Sequence, residues 1–263
     1  MAVRVVSMRC LVGAKMTPLF AFLAATLLLP LFPFSILLVA FFERVNVGRL
    51  RAPILLVIFM PGAALLTIAD GPPPAWMLAW AMLTAVLYAW RAIALQDVRL
   101  WVVFLVVSSG ALLWAGAGHD NLILKALGFG LPLATMSMLV DLIERRFGAA
   151  HIALELRLAT LAPKLSGLFV VALLAAIAMP VSPSFFAMIA LVVDQASTSV
   201  PTTLAILGCW LLWSWSAARI FAGIAVGPRH TRTQDIADSL ALLHAAVVVG
   251  LGLIGVLLGA LML

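Results

Sequence analysis

The sequence predicts an all-α polytopic membrane protein with about nine transmembrane helices. Three observations carry that prediction. Hydrophobic residues fill 65% of the 263 positions and charged ones only 10%, against about a quarter in an ordinary soluble domain. Mean hydropathy is +1.23. Apolar stretches close to the roughly 20 residues that a bilayer-spanning helix needs recur from end to end. The whole chain, 1–263, reads as one membrane domain, because no polar segment is long enough to fold as a soluble module. A conventional aqueous catalytic unit is therefore not expected within it, and no catalytic activity is expected of the chain alone.

The first span covers about 17–42 and carries Pro30 and Pro33, which predict a tilt or a kink. Arg4, Arg9 and Lys15 before it imitate a signal peptide. The apolar block from Met16 to Phe42 is too long for that, and no small-residue cleavage site follows, so an uncleaved first helix is expected. Residues 1–51 thus form an N-terminal span and a basic loop. Spans at 52–69, 75–95, 100–117 and 121–143 follow. Residues 144–164 are the substantial polar connection, whose mixed charges and Leu/Ile periodicity predict a short amphipathic surface helix. Spans at 165–182 and 184–200 come next. The second of these ends in Asp194, Gln195, Ser197, Thr198 and Ser199 before Pro201, the composition of a broken helix or partial span. Residues 203–263 supply C-terminal helices at 203–226 and 236–262. The glycines of GLGLIGVLLGA in the last one predict close helix packing, since backbones approach where side chains are absent.

The formal charge of +6 and pI of about 10.4 do not point to nucleic acid, because the basic residues are scattered through short loops. They read as topology signals. Arg44, Arg49, Arg51, Arg99, Arg145, Arg146, Arg157 and Lys164 predict one face, and the loops at Asp70 and His119–Asp120 the other. With nine spans this puts the N-terminus outside and the C-terminus inside, although Arg4, Arg9, Lys15, Arg229 and Arg232 oppose it. Cys10 and Cys209 have neither disulfide nor metal spacing. No phosphate loop, HExxH, paired carboxylate array or Ser/His/Asp set is present, so nothing supports ATP hydrolysis or peptidase chemistry. No cofactor is expected in this chain.

Charges that interrupt apolar runs are the candidate functional residues, since a charge near hydrocarbon is costly unless it faces protein, water or a partner. Lys125 opens its helix as NLILKALGFG, four residues after Asn121, which predicts one shared helical face. It can snorkel to the interface, or be buried and hold a proton reversibly, because burial disfavours its charge and a nearby anion restores it. Asp194 in ALVVDQASTSVP belongs either to a hydrated path or to a membrane exit or subunit contact. His119 and Asp120 precede the Lys125 helix as a polar entrance, and His244 in the last span is either titratable or a satisfied core histidine. Arg91 in YAWRAIALQD and Arg219 in WSWSAARIF stay charged. They are read as headgroup anchors, partners of a carboxylate or field-setting groups.

Three phrases in this order, ALQDVRLWVVFLVVSSGALLWAG, NLILKALGFG and LAPKLSGLFVVALLAAIAMPVSPSFFAMIALVV, resemble segments of the proton-conducting antiporter-like membrane subunits of respiratory complex I, cation/proton antiporters and related hydrogenases. The family's versions read D-[IL]-K-R…YSS…G, then H-x-x-x-K-A-L-x-F, then a proline-marked segment ending in GFxx[KE]. The resemblance is strongest over residues 90–195. It implies that Lys125 matches the family lysine, and that Asp97 and Arg99 match the Asp and basic residue of the first phrase. Asn121 stands where the family usually has histidine, and Met188 where it usually has Lys or Glu. No upstream helix carries the family glutamate, so the chain reads as a shortened relative that lacks much of the first half.

The resemblance implies a subunit assisting proton translocation in a multisubunit energy-coupling complex of a bacterial inner membrane. Its partners would be other integral membrane subunits, a peripheral soluble module, lipid and protons. Any redox or metal cofactor would lie in those partners, a zinc-containing one marking the branch coupled to inorganic-carbon uptake. The alternatives are a non-conducting scaffold that anchors partner subunits and a small secondary ion transporter.

Overall fold

A computed structural model describes residues 18–44, 50–69, 71–148, 150, 158–225 and 238–262. Every described regular element is helical, as lipid requires of a chain whose backbone groups must bond within themselves. In order these are α1 (Pro18–Leu28), α2 (Phe34–Arg44), α3 (Arg51–Ile68), α4 (Ala75–Ala94), α5 (Val98–Leu112) running into a 3-10 turn (Leu113–Gly116), α6 (Leu122–Phe147), α7 (Leu158–Leu161), α8 (Pro163–Ala176), α9 (Pro183–Ala196), α10 (Val200–Ala225) and α11 (Asp238–Met262). Helices α5 and α6 are the interior ones, with α3, α4, α8, α9, α10 and α11 packed around them.

Six described helices, α3, α4, α5 with its 3-10 turn, α6, α10 and α11, are long and apolar enough to cross a membrane. This corrects the expected nine. Three of the predicted spans are built from shorter pieces. The first is two helices, α1 and α2, separated at Leu29–Pro33, where both prolines fall. The spans predicted at 165–182 and 184–200 are the 14-residue helices α8 and α9. Neighbouring contacts set these last two end to end. Along α11, Val248 and Leu251 lie with Val171 and Leu174 of α8, Gly255 meets Val181–Pro183, and Gly259 meets Phe186 of α9. The two predicted spans are therefore one crossing with a break at residues 177–182. The break lies before the predicted place, since α9 runs uninterrupted from Pro183 to Ala196.

Exposed main-chain groups at this break are satisfied locally. Ser182 Oγ donates to the Met179 carbonyl at 2.6 Å, Ser184 Oγ donates to the Ala175 carbonyl, and Trp210 Nε1 of α10 donates to the Ile177 carbonyl at 3.1 Å. Ser182 also caps α9, accepting from the Phe185 amide. Gly128 of α6 and Gly255 of α11 press on the same segment. A Cβ on Gly128 would meet Ala187 Cβ at 2.8 Å and the Pro183 carbonyl oxygen at 2.9 Å, and one on Gly255 would meet Pro183 N at 2.9 Å. The predicted packing role of the C-terminal glycines is met at Gly255 and Gly259. Replacing Trp210 by Phe keeps an aromatic side chain, a smaller one, and removes the donor. It is expected to lower stability by about 1–3 kcal/mol, the cost of an unpaired buried carbonyl, measured as a shift in thermal unfolding of the purified protein.

The break between α1 and α2 is bonded in a similar way. The Phe32 amide donates to Thr84 Oγ1 at 3.2 Å, and Trp80 Nε1 donates to the Phe32 carbonyl. Phe22 of α1 stacks on Trp114 of the 3-10 turn, whereas Phe42 of α2 lies with Arg51 and Arg99. The pair α1–α2 thus runs from the Lys125 end of the molecule to the Glu144 end, and α8–α9 runs back.

Two further expectations change. Arg145 and Arg146 belong to the last turn of α6, which continues to Phe147; the predicted connection 144–164 begins inside a helix, and its residues 151–157 lie outside the described residues. Asn121 Nδ2 donates to the Leu261 carbonyl at 3.1 Å, so α11 ends beside the start of α6. The described C-terminal residues are thus at the Lys125 end, opposite the arginine-rich end where they were expected. Counting α8 and α9 as two crossings had inverted the parity.

Candidate functional site

The site is built where the N-terminus of α6 meets the C-terminus of α9. Gly128 lets α9 approach, and α9 then runs antiparallel to α6 until its last turn reaches Lys125. Lys125 is buried, with 2% of its side chain exposed, and its Nζ donates to a carboxylate oxygen of Asp194 and to the Asp120 carbonyl, the latter at 3.0 Å. The ammonium is thus bonded within the protein, to a carboxylate 69 residues away in sequence. The walls are tight. A Cβ on Gly116 would lie 2.9 Å from Leu122 and 3.0 Å from Leu191, and Lys125 Cδ is 3.6 Å from the same point.

Next to the pair, Gln195 Nε2 donates to the Ala115 carbonyl at 2.7 Å, which ties α9 to the 3-10 turn. Asp194 remains 20% exposed, so one partner of the pair touches solvent or headgroups and the other does not. Thr198 Oγ1 donates to the Asp194 carbonyl at 3.3 Å. His119 is half-buried in the loop before α6, with Nδ1 buried and unpartnered, and the Asp120 side chain is exposed.

Asn121 does not share a helical face with Lys125 as predicted. It is the N-cap residue, at φ 62°, and its side chain is spent on α11. His244 lies 17 residues before Leu261 on α11, about 25 Å back along the helix at the α-helical rise, and does not join the Lys125 group. Arg91 lies over the Phe104 ring, 5.5 Å from its centroid, and Arg219 donates to the Ile93 carbonyl at the end of α4.

Asp97 and Arg99 lie at the other end. Asp97 caps α5 by accepting from the Arg99 amide at 2.8 Å. Two residues that composition had assigned to loops complete this second cluster. Arg51 Nη1 donates to Glu144 Oε2 at 2.7 Å, while Arg99 Nε is 3.7 Å from Glu144 Oε1 and Arg99 Nη2 is 3.7 Å from Asp97 Oδ2. The signal that could have found Arg51 is its position directly before the apolar run APILLVIFM. Glu144 lies 19 residues beyond Lys125 on α6, about 28 Å at 1.5 Å per residue, close to the roughly 30 Å of a bilayer's hydrocarbon core. Helices α3, α5, α6, α9 and α10 carry no Asp, Glu, Lys or His between these two levels except Asp141, which lies within a turn of Glu144 and pairs with Arg145. Among the described residues, no three His, Cys, Asp or Glu side chains gather to hold a metal ion.

No protein-family model matches the chain, and no curated protein matches it in sequence. Solved structures do match in fold. A chain of respiratory complex I from Thermus thermophilus with bound NADH aligns at a TM-score of 0.79 and 20% identity, over 92% of this chain and 55% of that one. The membrane-bound sulfane sulfur reductase, an archaeal respiratory membrane complex, contains a chain that aligns at 0.76 and 15%, over 93% and 54%. A chain of Thermus thermophilus complex I with bound aureothin aligns at 0.74 and 15%, over 95% and 60%. The protein thus has the all-α membrane fold of chains in those complexes and spans a little over half their length.

Proposed function

We propose that the protein is an antiporter-like membrane subunit that assists proton translocation within a multisubunit energy-coupling complex. The observation that carries this reading is the buried Lys125–Asp194 pair, which joins an unbroken helix to the distal half of a broken one. Broken helices at mid-depth are how membrane transporters expose local polarity to a path. An ionisable pair beside such a helix has a cost in lipid that a scaffold would not need to bear.

In this reading Lys125 holds a proton against Asp194, and the exposed edge of Asp194 is the route by which it exchanges with the Lys125 end. His119 and Asp120 form the approach. The arginine-rich Glu144 end faces the cytoplasm of a bacterial cell, following the positive-inside rule. Other membrane subunits and a soluble module supply the driving reaction, together with any redox or metal group it needs.

The test is the complex reconstituted in vesicles with Lys125→Ala. Coupled proton flux is expected to fall to the level of a complex lacking this chain, with subunit composition unchanged. Normal flux from a normally assembled variant would refute a conducting role.

A scaffold is the second reading, favoured by a specific departure. Met188, where the resembling family carries Lys or Glu, is fully buried in α9, so one link of a titratable relay is apolar. On that reading, Lys125→Ala leaves flux intact, whereas substitutions that disturb helix packing lose subunits from the complex.

A further inference from the structure

At the Glu144 end, the junction of α3, α5 and α6 holds more buried hydrogen-bond donors than it satisfies. Arg51 is 3% exposed, yet only its Nη1 is bonded. Its Nε and Nη2 are buried without a partner among the described residues, as is Nε of Arg99, whose 3.7 Å approach to Glu144 Oε1 is an ion-pair distance and too long for a hydrogen bond. A guanidinium cannot escape this by losing a proton. Buried polar atoms left unpaired in this way call for a missing partner.

The same place contains a cavity of about 10 Å³, lined by Arg51, Arg99, Ser137, Phe42, Val102 and Val140 among others. That is room for about one water molecule, in a setting that offers the two to four polar partners a buried water needs. We infer that this cavity is a binding site for a single water molecule, which accepts from Arg51 and Arg99 and donates to Ser137. Its two lone pairs take two of the three stranded N–H groups. One of its O–H groups faces the Ser137 hydroxyl, which lines the same cavity. A bound anion fits less well, because Arg51 and Arg99 are already balanced by Glu144 and Asp97.

This water bridges Arg51 of α3, Arg99 of α5 and Ser137 of α6. The basic end thereby gains a bound-water site at the opposite end of α6 from Lys125, in a region that the proposed proton path does not use.

The test is a density map of the full-length protein, purified with its co-purifying subunits, at a resolution near 2 Å where ordered waters are visible. A peak within about 3.2 Å of Arg51 Nε or Nη2 and of Arg99 Nε is expected. An empty cavity in a map that resolves other buried waters would overturn the inference, as would replacement of the peak by bromide in a bromide-exchanged sample. A second variant, Val140→Leu, extends a side chain into the cavity without touching the ion pairs. It is expected to remove the peak and lower the melting temperature. Persistence of the peak, or a raised melting temperature, counts against the site.

Discussion

Substituting Asp194 by Asn is expected to destabilise the protein by about 3–5 kcal/mol, the range for breaking a buried ion pair by removing one partner. The reason lies in which partner stays behind. Lys125 is 2% exposed and would keep only neutral acceptors for its charge, the Asp120 carbonyl and the asparagine amide oxygen. Lys125→Met should cost less, because the abandoned Asp194 is 20% exposed and recovers part of its hydration. The double variant Lys125→Met, Asp194→Asn should be more stable than Asp194→Asn alone, since it leaves no uncompensated charge. Thermal unfolding of the four proteins in one detergent gives the cycle directly. If Asp194→Asn proved no more harmful than Lys125→Met, the ammonium would not be confined as described.

Gly255→Ala is expected to be the most damaging of the conservative substitutions, at about 1–3 kcal/mol. The added methyl would meet main-chain atoms, the Val181 carbonyl oxygen, Pro183 N at 2.9 Å and the Ser182 carbonyl carbon at 3.0 Å. Backbone cannot rotate aside as a side chain can, so either α11 lifts from the break or the break unpacks. Gly250, five residues earlier on α11, has open space around a built Cβ. Gly250→Ala should therefore be neutral or stabilising by up to about 1 kcal/mol, from helix propensity alone. Equal losses from both substitutions, read as melting temperature, would mean that general helix chemistry and not the contact sets the effect.

Lys125 and Asp194 were each legible because a charge inside an apolar run stands out in any sequence. Their pairing was not, for it depends on α9 lying antiparallel along α6, and no local pattern encodes that. Arg51 and Glu144 were hidden for a different reason. They sit at the ends of apolar runs, where charges are ordinary, and composition assigns such residues to loops. Asn121 was misread because its place looked like a helical i, i+4 position, although the residue is a left-handed cap.

The helix count erred through what hydropathy measures. It registers apolar length and does not tell two full spans from the two halves of one broken crossing. The turn at 177–182 uses Ala178 and Val181 at φ 61° and 75°, conformations normally given to glycine. Pro180 and Pro183 marked this break in the sequence as plainly as Pro30 and Pro33 marked the other. The membrane class itself followed from composition alone.

The glycine clamp on the α8–α9 break also bears on motion. A segment held from both sides with no room for a methyl group, and with its carbonyls bonded to Ser182, Ser184 and Trp210, has little freedom to flex. It is a rigid elbow, and amide hydrogen exchange at Phe185, Phe186 and Ala187 should be as slow as in the middle of α6. Any displacement of Asp194 relative to Lys125 must then come from α8 and α9 moving together as one stiff body.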